Sequence, residues 1–157
     1  MREVEIKVYT FEELNESAKE RARDWWRGHG ADWCDETNES ITAFLDKFDV
    51  ELREYRIDWG SYNYQLSDYD NNTFRGMKLK DFVREEYLTG YCVDADLSIT
   101  FYDTFEKTGD AMYAFKQAVD AGFEAWYRDI EYQGTNEYID EALVANEYEF
   151  TADGEIY

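Results

Sequence analysis

Apolar and polar positions alternate along VEIKVY, residues 4–9, with Val4, Ile6 and Val8 in one phase and Glu5, Lys7 and Tyr9 in the other. A period of two predicts a half-buried strand. Thr10 and Glu13 have the spacing of a capping box over a short turn, and Asn15 is placed to cap a helix whose inner face is Ala18, Ala22, Trp25 and Trp26. Gly28 and Gly30 are expected to end it. A second helix is predicted over about 32–48, with Trp33, Thr37, Ile41, Phe44, Leu45 and Phe48 inward and Asp32, Asp35, Glu36, Glu39 and Asp46 outward.

From Val50 the pattern is two-fold again, and it changes phase between Leu52 and Tyr55, which predicts a bulge near Arg53 and Glu54. Gly60-Ser61 is the expected turn into Tyr62, Tyr64 and Leu66, followed by the polar loop SDYDNNTFRG. A third helix is expected over about 78–89, burying Leu79, Phe82, Val83 and Leu88, with Gly90 as its stop. Leu97, Ile99 and Phe101 alternate with Ser98, Thr100 and Tyr102 and predict a further strand. The longest helix is placed at about 110–131 on the stripe Met112, Phe115, Val119, Phe123, Trp126 and Ile130. Gly134 separates it from a last helix on Tyr138, Ile139, Ala142 and Leu143, which leads into a strand through Tyr148 and Phe150 and a turn at Asp153-Gly154.

Strands and helices in this order predict an α+β fold, an antiparallel sheet built largely from hairpins with about five helices packed on it. With 157 residues, no proline, no linker and no repeat, the expectation is a single compact domain over 1–157. No apolar run approaches membrane-spanning length and no basic start precedes an apolar segment, so a soluble protein of the cytoplasm is expected. Cys34 and Cys92 are then expected to be reduced, buried thiols.

Charge alters this picture more than any motif does. The chain has 37 acids against 16 bases, a formal charge of -21, which opposes compaction and exceeds what solubility needs. Residues 32–70 hold eleven acids and three bases, and residues 120–157 hold eleven acids and one base. Bases gather instead at Lys19, Arg21, Arg23 and Arg27, and at Arg75, Lys78, Lys80 and Arg84. Affinity for a phosphate backbone comes mainly from lysine and arginine, so direct nucleic-acid binding is disfavoured and a basic partner favoured. A charge of -21 corresponds to roughly 36 Å of duplex, comparable with the diameter of a globule of this length. Carboxylates standing in for phosphates are the sharpest reading of that match.

No catalytic signature competes with it. Asp68, Asp70 and Asn72 open a calcium-loop pattern, but Thr73 stands where glycine is needed and Leu79 where a closing glutamate is needed. His29, Cys34 and Cys92 are too few for a structural zinc site, and no glycine-rich phosphate loop occurs. Neither enzyme, cofactor nor metal is expected. The expected partner-binding residues are Asp32, Asp35, Glu36, Glu39, Glu131, Glu137, Asp140, Glu141, Glu147 and Glu149.

The stretch IKVYTFEELNESAKERARDWW, residues 6–26, resembles the opening of a set of small phage and prophage proteins: a short strand, Tyr-x-Phe-x-Glu-Leu, then a helix beginning Ala-Lys-x-x-Ala and ending in aromatics. The matching positions are Tyr9, Phe11, Glu13, Leu14, Ala18, Lys19, Ala22, Trp25 and Trp26. The ending YEFTADGEIY, residues 148–157, is similar to the family's C-terminal hairpin. Many members have a glycine-rich centre where this chain has IDWGSYNYQLSDYDNNTFRGM. Members are sometimes labelled antitoxins, and the resemblance carries no catalytic residues. It implies a viral origin, and with the charge it makes a basic, nucleic-acid-binding host defence protein, such as a CRISPR effector or a restriction enzyme, the expected target. An antitoxin-like protein that neutralises a toxin, and a phage accessory or structural protein that self-associates through exposed rings, are the rival expectations.

Overall fold

The computed structural model describes residues 5–157, and the fold is α+β: five helices and two small antiparallel sheets among the described residues. Two compact units are formed, one by the chain up to Asp32 together with Ile130–Tyr157, the other by Trp33–Asp129. No helix among the described residues is long and apolar enough to cross a membrane.

In the first unit β1 (Tyr9–Thr10) pairs antiparallel with β4 (Glu149–Phe150), Tyr9 opposite Phe150. Phe150 also bridges to Ile156 across the turn at Asp153-Gly154. The expected strand over 4–9 is thus confined to its end: residues 5–8 lie outside it, Ile6 is 56% exposed, and Val4 lies outside the described residues. A partner strand only two residues long leaves the earlier alternation nothing to pair with.

Glu13 accepts the backbone N–H of Thr10 at 2.8 Å and its hydroxyl at 3.1 Å, closing a short 3-10 turn over Phe11–Glu13. α1 (Glu16–His29) then starts where the Asn15 side chain accepts the N–H of Ala18 at 3.0 Å, and it ends at Gly30. Its inner face, Ala18, Ala22 and Trp26, packs with Phe11, Leu14 and Phe150 and with Ile139 and Leu143 of α5 (Asn136–Ala145). Gly154 turns at φ +86, and a Cβ there would lie 2.1 Å from the carbonyl oxygen of Ala18. Only glycine lets the closing turn come so near α1.

The C-terminal stretch has no base of its own after Arg128, and α1 supplies what it lacks. The Arg23 side chain, 7% exposed, donates Nε and Nη2 to the two carboxylate oxygens of Asp140 at 2.6 and 2.7 Å. Its Nη1 reaches Glu16 at 2.8 Å and also Glu20. Arg21 pairs with Asp153 at 2.7 Å, and Arg27 donates to the Gly134 carbonyl at 3.2 Å and to Asn136 at 2.7 Å.

The second unit is built on aromatic packing. α2 (Asp35–Asp46) begins later than expected, and Trp33 before it is partly exposed, its ring 5.2 Å from that of Trp59. β2 (Leu52–Ile57) and β3 (Tyr62–Leu66) form the expected hairpin, with the register slip at Leu52/Glu54. Asp58 Oδ1 accepts the N–H groups of Gly60 and Ser61, each at 3.1 Å, and so holds the turn. Tyr64 stacks on Phe123 of α4 (Ala111–Gln133) at 4.3 Å, while Phe48 packs on Phe115 at 4.9 Å and on Phe101 at 5.1 Å. Ring pairs at these separations are the favourable tilted and offset arrangements.

Two expected elements are corrected. The strand over 97–102 lies inside α3 (Val93–Thr108), because Val93, Leu97, Phe101 and Phe105 repeat every fourth residue and all four are buried. The period-two reading required Ile99 to be equivalent to Leu97, yet Ile99 is only half-buried. The helix over 78–89 is reduced to one 3-10 turn, Leu79–Asp81, and Val83 is 63% exposed.

The Arg23 network predicts an ordered pair of losses. Asp140→Asn leaves Glu16 and Glu20 on the guanidinium and should cost about 1–2 kcal/mol, whereas Arg23→Ala also removes the buried stem and should cost about 3 kcal/mol. Urea denaturation followed by circular dichroism measures both. Two negligible losses would contradict the role given to this side chain.

Candidate interface for a basic partner

α2 presents its apolar face, Thr37, Ile41, Phe44 and Leu45, to the core and leaves Asp35, Glu36 and Glu39 exposed. None of these three carboxylates has an ion-pair partner among the described residues. Asp35 and Glu36 sit in the first turn, where the positive end of the helix dipole favours acids, so their density costs the helix little. A rise of about 1.5 Å per residue separates Asp35 from Glu39 by roughly 6 Å along one face. One DNA strand carries a phosphate about every 3.4 Å of axis, so three carboxylates over roughly 6 Å match its linear density along this short row.

Beside the row lies a loop where the hydrophobic pattern predicts a helix. Asp94, buried in the first turn of α3, accepts the N–H groups of Leu88 and Thr89 at 3.0 Å and of Gly90 at 2.8 Å on one oxygen. Its other oxygen takes the Thr89 hydroxyl at 3.3 Å. Donors gathered on a carboxylate cannot also serve a helix ladder, which is why residues 82–90 are irregular. Gly90 turns at φ +96, and a Cβ there would strike the Tyr87 hydroxyl at 2.2 Å.

The loop leaves Tyr87 83% exposed and Tyr91 partly exposed. With Glu85, Glu86, Cys92 and Asp94 they line a pocket of about 310 Å³. Glu86 is paired with Lys47, whereas Glu85 is only loosely approached by Arg84 at 3.6 Å. Burial raises the Tyr91 phenol above its ordinary pKa, and the fields of Glu39 and Glu36 raise it further, which ties this ring to the acids of α2. Carboxylates beside phenol faces suit the ammonium of lysine or the guanidinium of arginine.

The other expected residues belong to the first unit. Asp32 is exposed, and the Gln133 side chain holds its backbone N–H at 2.9 Å and its carbonyl at 2.8 Å. Glu131 is exposed on the last turn of α4, and Glu137 and Glu141 are exposed on α5. Glu147 and Glu149 are exposed beyond it. Asp140 departs from the outward placement, because its carboxylate is turned onto Arg23. The residues sequence reasoning passed over are Tyr87, Tyr91 and Glu85; Gly90 followed four residues later by Asp94 was the local signal for their loop.

The remaining chemical candidates are engaged locally. Cys92 is exposed and Cys34 half-buried, its Sγ donating to Asp129 at 2.9 Å, against the expectation of two buried thiols. His29 stacks on Trp25 with Nδ1 2.9 Å from the Trp25 carbonyl oxygen. Asp70 accepts the N–H of Asn72 at 2.7 Å and the Asn72 side-chain amide at 3.2 Å, an ordinary turn arrangement. Among the described residues no cluster of three or more histidine, cysteine or acidic side chains has metal-binding geometry. No family model, no curated protein and no solved structure matches this chain.

Asp94 is the keystone of this surface, and its ionisation is linked to stability. Burial pushes its carboxyl up, but the Ser40 hydroxyl and the three backbone N–H groups outweigh burial and hold it below the usual value of 3.8. A carboxyl depressed in the folded state stabilises fully above pH 3.8 and loses that contribution as pH falls through its lower folded value. Asp94→Ala should cost about 2–3 kcal/mol at neutral pH and flatten the acid limb of the stability curve. Urea melts of both proteins between pH 2 and 7 measure this; parallel acid limbs would contradict it.

Proposed function

We propose that this protein is a non-enzymatic inhibitor of phage origin whose exposed carboxylates stand in for backbone phosphates. It binds a basic host defence protein, such as a CRISPR effector or a restriction enzyme, and blocks access of that protein to its DNA or RNA. The observation that carries this reading is the row Asp35, Glu36 and Glu39, exposed, unpaired and bordered by Tyr91 and Tyr87, on a chain of formal charge -21. In the first unit the bases of α1 are committed to the C-terminal segment, Arg21 to Asp153, Arg23 to Asp140 and Arg27 to Asn136. The likeness of residues 6–26 and 148–157 to small phage proteins supports the viral setting.

The chemistry needed is modest. Each carboxylate accepts one charge-assisted hydrogen bond from a lysine or arginine that otherwise holds a phosphate, and the tyrosine rings cover the aliphatic stems of those side chains. Long-range attraction between unlike charges speeds encounter and weakens with salt. The row spans only roughly 6 Å of axis, so α2 alone competes only with part of a footprint, and a broad rather than single-residue dependence is expected.

Neutralising the row as Asp35→Asn with Glu36→Gln and Glu39→Gln tests the assignment. Capture of a basic nucleic-acid-binding protein from bacterial lysate should fall about tenfold or more, mostly through slower association, and wild-type capture should fall comparably between low and high salt. A triple variant that melts normally and captures the same protein undiminished would remove α2 from the interface.

A further inference from the structure

The first unit has a groove whose chemistry differs from a plain acidic surface. It opens between the 3-10 turn at Phe11–Glu13 and the C-terminal half of α5, with a volume of about 460 Å³. The Phe11 ring, Val144 and Ala145 make it apolar, and Glu12, Asp140 and Glu141 stand with Lys19 around them. Val144 is 44% exposed although its neighbour Leu143 is fully buried, so α5 offers an aliphatic side chain to whatever enters the groove.

The electrostatics of the groove select the occupant. Asp140 is already matched by Arg23, and Lys19 lies over the Phe11 ring with Nζ 5.5 Å from its centroid. Glu12 and Glu141 are exposed and have no ion-pair partner among the described residues. The last turn of α5 contains no base, so its dipole adds to the negative field where Val144 and Ala145 line the groove, while backbone donors and the Asn146 side chain hold the carbonyls of Ala142, Leu143 and Val144. An acidic segment is repelled here, a purely polar one leaves the apolar floor wet, and a purely apolar one leaves the carboxylates unmatched.

We infer that this groove docks a short basic amphipathic segment of a partner protein. One aliphatic side chain of the segment seats against Val144, Ala145 and Phe11, and lysine or arginine on either side meets Glu141 and Glu12. Lys19 repels a cation at its own corner and thereby fixes which end of the groove the basic residues take. The volume has room for a few side chains of a docked segment, of which one main anchor carries most of the binding. This site is distinct in kind from phosphate mimicry, which needs no aliphatic anchor and is assigned to α2 of the other unit.

Two synthetic helical peptides of about 14 residues and equal charge separate the possibilities, one with leucines along one face between lysines, the other with those leucines replaced by serine. Titrated into the isotopically labelled full chain at 0.15 M salt, the leucine peptide should shift the amide signals of Val144, Ala145 and Glu141 in a saturable way. The serine peptide should bind at least about tenfold more weakly at these positions. Val144→Asp, a change at an exposed site, should abolish the preference for leucine while the other signals keep their positions. Equal binding of the two peptides, or preference for leucine retained in Val144→Asp, would overturn the groove. If the two peptides bind equally and shift Asp35, Glu36 and Glu39 instead, the groove is lost while the charge-only reading of α2 stands.

Discussion

The Arg23–Asp140 fork is the contact on which the first unit depends. The C-terminal stretch brings eight carboxylates and no base to a unit whose charge already opposes compaction, and it is α1 that supplies the cations. Hydrogen bonds to Asp140 raise Arg23 well above its usual range, with those to Glu16 and Glu20 adding to the effect against the cost of burial. The guanidinium is therefore charged at every pH the protein meets, and the planar fork sets the angle at which α5 lies on α1. An ion pair of this kind is costly to break from one side, which makes it a determinant of orientation even where its net contribution to stability is small.

That contact also changes the meaning of the one-sided C-terminal segment. Its lack of lysine and arginine is partly an arrangement between two ends of the chain, with Arg21, Arg23 and Arg27 reaching Asp153, Asp140 and Asn136. The acids left over are Glu137, Glu141, Glu147 and Glu149, together with Asp35, Glu36 and Glu39 on α2 of the other unit. Charge excess alone did not distinguish these two groups. Pairing does, and it moves the weight of the functional reading from Asp140 toward α2.

Where a helix or hairpin carried its own punctuation, the sequence was sufficient. Asn15 before α1, the phase change at Leu52/Glu54 and the Asp153-Gly154 turn all stand where local chemistry put them. It misled where two periods fitted one stretch: Leu97, Ile99 and Phe101 suit a strand, but Val93 and Phe105 extend the fourfold repeat that tertiary burial selects. It misled again at 82–90, where Asp94 draws in three backbone N–H groups from outside its own helix. The acids of α2 were legible as an outward face, while the tyrosines beside them were not, because their exposure depends on Asp94 capping the loop from the helix that follows it.

Competition at equilibrium tests the central claim most directly. The basic protein captured by the wild-type chain would be bound to a fluorescent duplex or RNA that it recognises, and the acidic protein titrated against the complex at fixed salt. Stoichiometric release of the nucleic acid, with apparent affinity weakening in proportion to added nucleic acid, is the result the account predicts. A ternary complex that holds both ligands at once would contradict it.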